Sequence, residues 1–421
     1  MPGAGTRTAT TAPEPKARLL DLTRLISRVG RGPWTGVDRV EAAYLKQFLA
    51  ETESVFGLIR VSHQFILLDR AGVRALHQRL VGNVDWGRSD AVALLKRRLN
   101  DQRRRAEADL RRLSIATCKH DGLGRMLNRH LPDGTTCFNV GHSNLSEEVL
   151  EQIQAKQGLN LSIMIHDTIP LDHPDLQRPE VVDTFEKRLR AVGKFADRVI
   201  YNSAQSRADA ERYFDAWGRM PEGVVAHLGV DLPEADATEL PAGLDLTHAY
   251  FVTTGTIEPR KNHALLLDVW EDLAGDTAHE TPTLYIVGSR GWENEDVFRR
   301  LDALKGADSR IKELSGLSDP ALAALLEGAA ALLFPSLAEG YGFPPLEAAV
   351  RSVPVVVNDL PIYGEILRDI PVYALPNDRY SWSTTISKLA EQNRAGTGQR
   401  ETGSANIPTW SDHFDLVLKV T

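Results

Sequence analysis

The stretch Ala331-Leu-Leu-Phe-Pro-Ser-Leu-Ala-Glu339-Gly-Tyr-Gly-Phe-Pro-Pro-Leu-Glu347-Ala-Ala-Val-Arg351 decides how the rest of the chain is read. Four apolar residues, Ala331–Phe334, form a short buried strand; a glycine loop follows, and Pro344 stands near the first turn of a helix. A strand that runs through a glycine turn into a helix is half of a βαβ unit. The helix start presents free backbone N–H groups and a partial positive charge, which suits a phosphate. Two carboxylates eight positions apart bracket the loop. Glu347, in the first helical turn, can accept two hydrogen bonds from a vicinal diol such as a ribose. Glu339, ahead of the loop, can do the same for a hexose. A plain strand–turn–helix junction with capping acids also fits these residues.

Outward from this stretch the same alternation repeats. Towards the N-terminus lie strand-like Tyr250–Thr254, a helical pattern at His263–Leu273, strand-like Leu284–Val287 and a helical pattern at Asp319–Ala330; Val353–Val357 follows the helix at Pro344–Arg351. The first half offers Leu19–Leu22, Val55–Val61, Phe65–Leu68, Cys137–Val140, Leu161–Ile165, Arg198–Tyr201 and Val224–Ala226 as strands. Helical patterns run over Val37–Leu49, Leu145–Gln157 and Pro179–Phe195. Leu232–Thr247, rich in Pro, Asp and Glu and without a period, reads as a linker. The expected fold class is α/β: two Rossmann-like domains with parallel sheets facing across a cleft, ligands binding at the carboxyl ends of the strands. The expected divisions are a disordered tail at 1–17, a first domain at 18–231, a linker at 232–248, a second domain at 249–394 and a linker plus helix at 395–421, with Trp410–Val420 returning to the first domain.

Composition sets the outer limits. With 421 residues, 42% of them apolar and 25% charged, there is material for two buried cores. A net charge of -8 argues against general affinity for nucleic acid. Cys118 and Cys137 are the only cysteines, too few for a disulfide framework or a Cys-rich metal site, which points to a reducing, cytoplasmic setting. The N-terminal Thr/Ala/Gly/Pro stretch lacks the apolar core of a signal peptide. The longest apolar run, Ala321–Phe334, is interrupted by Glu327 and Gly328, so no spanning helix is expected.

A second chemical feature is Gly255-Thr-Ile-Glu-Pro-Arg260-Lys261-Asn262, again between a strand and a helix. Adjacent cations at a strand's carboxyl end suit a diphosphate, with Arg as a planar fork and Lys as a point charge. At a helix start, cations without an anionic partner are electrostatically disfavoured.

Together the two features resemble glycosyltransferase family 4, a group of retaining GT-B enzymes. The stretch from Glu339 to Glu347 resembles that family's E-x7-E motif, and Gly255–Asn262 its diphosphate-binding segment. Ile165-His-Asp-Thr-Ile-Pro-Leu171 is similar to the His-Asp segment that lines the sugar site. Asn202-Ser203 and Leu228-Gly-Val-Asp231 resemble the end of the first domain, and Trp34-Thr-Gly-Val-Asp-Arg39 the glycine loop facing the donor. The resemblance covers roughly residues 18 to 390 and is loosest in Phe56–Gly134. It implies an acceptor-side first domain and a second domain that binds a nucleotide sugar. Carried over, Arg260 and Lys261 neutralise the leaving diphosphate, Glu347 holds the ribose and Glu339 the transferred sugar. The backbone of Tyr341, Gly342 and Phe343 meets sugar or phosphate oxygens, His166 with Asp167 lies near the reacting carbon, and Gly36 and Thr256 border the donor. Many relatives have Arg where this chain has Thr256, which shifts the charge work to Arg260 and Lys261.

No metal is expected: His166 and Asp167 point apart in an extended chain, and no Asp-x-Asp loop follows a strand. The resemblance implies a metal-independent hexosyltransferase of bacterial surface polysaccharide synthesis, with GDP-mannose as donor and dTDP- or GDP-linked deoxyhexoses behind it. The acceptor would be a saccharide or lipid-linked saccharide. A nucleotide-sugar epimerase, a phosphorylase and a catalytically silent binding protein share the same contacts. A nicotinamide oxidoreductase is disfavoured, since no G-x-G-x-x-G follows the first strand. The remaining signal is Lys96–Arg112, with eight cations above apolar Val92, Leu95, Leu99, Ala106, Leu110 and Leu113. It reads as one basic amphipathic helix, suited either to peripheral contact with an anionic membrane at its cytoplasmic face or to a solvated face paired by Asp101, Glu107 and Asp109.

Overall fold

Fourteen strands account for the sheets among the described residues, which in this computed structural model are 15–62, 64–96, 98–275, 280–305, 309–397 and 407–421. Most of the expected tail, and most of the expected linker after 395, lie outside that range. Ala17, expected in the tail, instead opens the first strand. The chain divides into two units. One comprises the chain up to His166, Asp183–Leu228 and Trp410–Thr421; the other comprises Asp167–Val182 and Gly229–Thr409.

The first unit holds an eight-stranded sheet of order β4-β3-β2-β1-β5-β6-β7-β8. Its strands are β1 Ala17–Asp21, β2 Ser54–Val61, β3 Gln64–Leu68, β4 Ala116–Lys119, β5 Thr135–Asn139, β6 Asn160–Ile165, β7 Arg198–Tyr201 and β8 Glu222–Val225. From β2 through β1 to β8 the strands are parallel, with Leu19 opposite Phe56 on one side and Cys137 on the other. The purely parallel expectation fails at one edge, where β2–β3 and β3–β4 pair antiparallel. Only positions 62 and 63 separate β2 from β3. So short a connection cannot return a chain to a parallel neighbour, and Ser62, at φ 54°, supplies the tight turn.

The closing helix of this unit, Trp410–Val420, buries His413, Phe414, Val417 and Val420, the spacing of one helical face. Phe414 meets the Tyr44 ring edge-on at 5.0 Å, and Tyr44 in turn packs against Phe48 and Phe138. His413 Nδ1 faces the carbonyls of Ala226 and His227, so it carries the proton, and Nε2 accepts from the Tyr44 hydroxyl at 2.8 Å.

The stretch expected as one basic helix is two, Ala91–Leu95 and Asp101–Leu113, capped by the side chains of Asp90 and Asn100. Its cations largely turn inward. Lys96 and Arg103 share the buried Glu107, Arg111 makes a two-pronged pair with Asp90, and Arg112 binds Asp109. Arg105 donates to the carbonyls of Trp86 and Gly87. The exposed apolar side chains sit instead on the short helix, at Val92, Leu94 and Leu95. Arg97 lies outside the described residues.

The second unit holds a parallel six-stranded sheet, β11-β10-β9-β12-β13-β14. Its strands are β9 Tyr250–Thr254, β10 Thr283–Val287, β11 Ile311–Leu314, β12 Ala331–Phe334, β13 Val355–Asn358 and β14 Val372–Ala374. Phe251, Trp270, Ile286, Leu333 and Trp382 are among the residues of its buried core. Strand order reverses between β9 and β12, so the loops leaving these two strands diverge and open a crevice at the carboxyl edge. Both motif stretches of the sequence lie in those two loops. The segment expected as a linker is part of this unit: the Tyr285 hydroxyl donates to Asp245 O, and Asp236 N bonds Pro320 O.

Among the described residues no helix is long and apolar enough to cross a membrane.

Candidate active site

The loop after β9 and the loop after β12 are sewn together by Arg260. Its backbone carbonyl accepts from Leu337 N, and its guanidinium donates to Ala338 O at 2.8 Å. The same guanidinium pairs with Glu258 at 2.7 Å and Glu339 at 2.9 Å. Lys261 reaches the other oxygen of Glu339 at 2.5 Å and lies over the Phe334 ring, 4.2 Å from its centroid. The two cations were expected to open a helix. They form instead a single 3-10 turn, Pro259–Lys261, and Asn262 in the left-handed region separates that turn from the helix His263–Gly275. The unfavourable position expected for them does not arise, because Glu339 and Glu258 supply the counter-charge.

Burial and pairing set the ionisation of this cluster. Desolvation alone would raise Glu339, but Arg260 and Lys261 outweigh it and hold the carboxyl down at about 2. Desolvation also works against the Arg260 guanidinium, and Glu339, Glu258 and Asp167 more than offset it, keeping it above its ordinary value. Lys261 is lowered by burial despite Glu339. Asp167 is raised, chiefly by burial, with Arg260 opposing and Glu339 reinforcing. Two cations thus face three carboxyls, and of Asp167 and Glu339 it is Asp167 that takes a proton more readily. A polyanion entering here meets charge already fixed in place and already desolvated.

Glu339 leads into the helix Phe343–Val350. Gly342 caps it at φ 92°, and a Cβ there would stand 2.6 Å from the Tyr363 ring, so both conformation and space require glycine. Tyr341 and Glu347 are buried, and the rings of Tyr341 and Phe343 lie 5.4 Å apart. The helix N-terminus, the two cations and both glutamates therefore belong to one edge of one sheet. Thr256 is exposed beside them.

The remaining expected residues divide as follows. His166 ends β6 in the first unit; its Nε2 bonds Val140 O at 2.7 Å, and burial lowers its pKa to about 4. Asn202 and Ser206 donate to its backbone carbonyl at 2.8 and 3.0 Å, which explains why the Asn202-Ser203 junction accompanies the His-Asp segment. Asp167 begins the stretch that belongs to the second unit and accepts from Ile169 N at 3.1 Å. Gly36 opens the helix Gly36–Ala50, where Thr35 and Asp38 form a capping box and Arg24 and Arg28 pair with Asp38. Among the described residues no three His, Cys, Asp or Glu side chains are arranged to hold a metal ion.

Residues 238–396 match the family described as Glycosyl transferases group 1. That stretch lies within the second unit. Among curated relatives, the serotype-specific mannosyltransferase WbdA of Escherichia coli is 28% identical over 295 residues, 66% of this chain and 36% of WbdA. The O-antigen chain mannosyltransferase B of Escherichia coli is 31% identical over 51% of this chain and 56% of its own length. The chain thus spans little more than a third of WbdA and little more than half of the other. Among solved structures, Anabaena HepE in complex with UDP superposes with a TM-score of 0.60 at 16% identity, covering 96% of this chain and 97% of HepE. TarM gives 0.55 at 15% identity over 74% of this chain and 60% of its own. The fold is GT-B, two Rossmann-like units.

Sequence reading missed two features. Glu258 stands inside the quoted motif, and only its pairing with Arg260 shows that it belongs to the charge cluster. His142, after the strand expected at Cys137–Val140, was passed over, yet its ring lies 4.8 Å from that of His166. A Gly-His pair directly after a buried strand was the available signal.

Proposed function

We propose that this chain is a retaining, metal-independent hexosyltransferase that moves mannose, or a deoxyhexose such as rhamnose, from a nucleotide sugar to a saccharide or lipid-linked saccharide in surface polysaccharide synthesis in the cytoplasm. The observation that carries the proposal is the buried Arg260–Lys261–Glu339 cluster beside the N-terminus of the Phe343–Val350 helix. As the bond from the sugar to the diphosphate breaks, negative charge grows on the leaving oxygens, and preorganised cations and backbone N–H groups stabilise it without a divalent ion. In this reading the diphosphate draws Arg260 and Lys261 partly away from Glu339, freeing that carboxylate for hydroxyls of the transferred hexose. Glu347 holds the ribose, and neutral His166 meets the sugar. GDP-mannose is the proposed donor, because the named relatives are mannosyltransferases. Contact with an anionic membrane face is proposed through exposed Val92, Leu94 and Leu95 rather than through the paired cations that follow.

A thermal-shift panel of GDP-mannose, dTDP-rhamnose and UDP-glucose, with the matching nucleoside diphosphates, tests the reading. A true donor raises the melting temperature by mass action, and Lys261→Ala should abolish the rise. Absence of any shift from every nucleotide sugar and diphosphate would overturn it.

A further inference from the structure

The loop after β5, Gly141-His-Ser-Asn144, is held in a shape it would not adopt alone. His142 and Asn144 both have φ 56°, in the left-handed region that non-glycine residues seldom occupy. Asn144 Nδ2 donates to Asp21 at 2.7 Å and to Thr23 at 2.9 Å, and Asn139 Nδ2 donates to the Ser143 carbonyl. A Cβ on Gly141 would stand 1.9 Å from the buried Glu41 Oε2, so a larger residue there would have to displace that carboxylate. The surroundings thus over-determine a strained loop, and what they place is the His142 ring.

His142 Nε2 bonds Met164 O at 2.8 Å, while His166 Nε2 bonds Val140 O at 2.7 Å. The two bonds are reciprocal, each ring reaching the strand end from which the other extends. A carbonyl only accepts, so both Nε2 atoms carry the proton, and each neutral ring keeps a lone pair on Nδ1. Burial favours this neutral form in both rings, and Arg24, near both, and Arg188, near His142, reinforce it. Among the described residues neither Nδ1 has a hydrogen-bond partner, and neither is among the atoms sealed from solvent. Phe185 flanks His142 at 6.5 Å. The carbonyl bonds give the Nε2 atoms a structural role; the pair of open Nδ1 acceptors has none.

We infer that His142 and His166 form a hydroxyl-reading subsite in the first unit, their Nδ1 atoms accepting from hydroxyls of one hexose. The inference rests on the glycosyltransferase reading and adds His142 to it. Gln and Asn separate its two nitrogens, since Gln places a donor near the Nε2 position and Asn an acceptor near Nδ1. His142→Gln keeps the bond to Met164 O and loses the open acceptor; His142→Asn does the reverse. Calorimetry should compare wild type and both variants with three probes: the nucleotide sugar that most stabilises wild type, its nucleoside diphosphate, and methyl α-mannoside.

The expected result is that His142→Gln melts like wild type and binds the diphosphate equally well, yet binds a sugar-bearing probe roughly 3- to 10-fold more weakly, the scale of one neutral hydrogen bond. His142→Asn should recover that affinity despite a lower melting temperature. Weaker binding of the nucleotide sugar identifies the donor hexose, and weaker binding of the mannoside an acceptor hexose. Unchanged sugar affinity in His142→Gln overturns the inference and leaves the glycosyltransferase reading standing. So does Co2+ binding that wild type shows and His142→Gln lacks, with sugar affinity unchanged, because the lone pairs would then serve a metal. A wild type that binds no nucleotide sugar overturns both.

Discussion

Arg260, Lys261 and Glu339 make a small buried salt, and each member has a different expected phenotype. Lys261→Ala removes one preorganised charge and should lower turnover roughly 10²- to 10³-fold with the fold intact; near wild-type turnover in the folded variant would remove its leaving-group role. Glu339→Gln keeps the shape and removes the anion that competes with a diphosphate. Calorimetry should find nucleoside diphosphate affinity unchanged or tighter and an assay should find turnover lowered, while lost diphosphate binding would contradict the competition. The same variant has a pH signature. With its folded pKa near 2 against an ordinary 4.5, ionised Glu339 adds stability that is present above about 4.5 and is lost as pH falls towards about 2. The stability gap between wild type and Glu339→Gln, read by urea unfolding, should therefore narrow from pH 6 to pH 3, and a constant gap would refute the ion-pair account. The members of this cluster were legible from the sequence, because a strand, a glycine or proline and a charge stand within a few residues of each other. Their mutual pairing was not: 78 positions separate Lys261 from Glu339, and only the adjacency of β9 and β12 brings them together.

Elements were legible where a single period ran its full course. The run from Ala331 to Arg351 gave strand, loop and helix because apolar residues, glycine and proline all agree there. The basic stretch misled because Lys96–Arg112 was counted as one period across a break. Asp90 and Asn100, each an N-cap, were the signal for two starts. That split carries a test. Liposome co-sedimentation should be lost in Leu94→Ser/Leu95→Ser and kept in Arg111→Gln, since Arg111 is occupied by Asp90; the opposite outcome would return the contact to the cations. The Trp410–Val420 helix predicts a stability effect instead. Phe414→Ala empties a site packed against Tyr44 and Trp410 and should cost about 3–5 kcal/mol in denaturant unfolding. A loss below about 1 kcal/mol would mean that the helix adds little to its sheet.

For the whole molecule, the chemistry proposed uses fixed cations where other transferases use an ion. Transfer in excess chelator should equal transfer in magnesium, and a complete loss restored by a divalent ion would refute it. The two-domain reading was legible because the alternation lapses near Leu232 and resumes at Tyr250. The return of Trp410–Thr421 to the first unit was read from the Gly/Thr/Ser-rich stretch before an amphipathic segment, whereas the crossing of Asp167–Val182 to the second unit was not, because local patterning carries no record of which unit a segment joins. The return has a consequence for the order of events during synthesis. The first unit is assembled from three separate stretches, and the last of them, Trp410–Thr421, is made only after the second unit. Tyr44 and Phe138, made early, must wait through the translation of the entire second unit before Phe414 covers them. At roughly 5–20 residues per second, that wait lasts tens of seconds. A nascent chain stalled before Trp410 should therefore bind a chaperone that recognises exposed apolar surface, and release it once the Trp410–Val420 helix emerges.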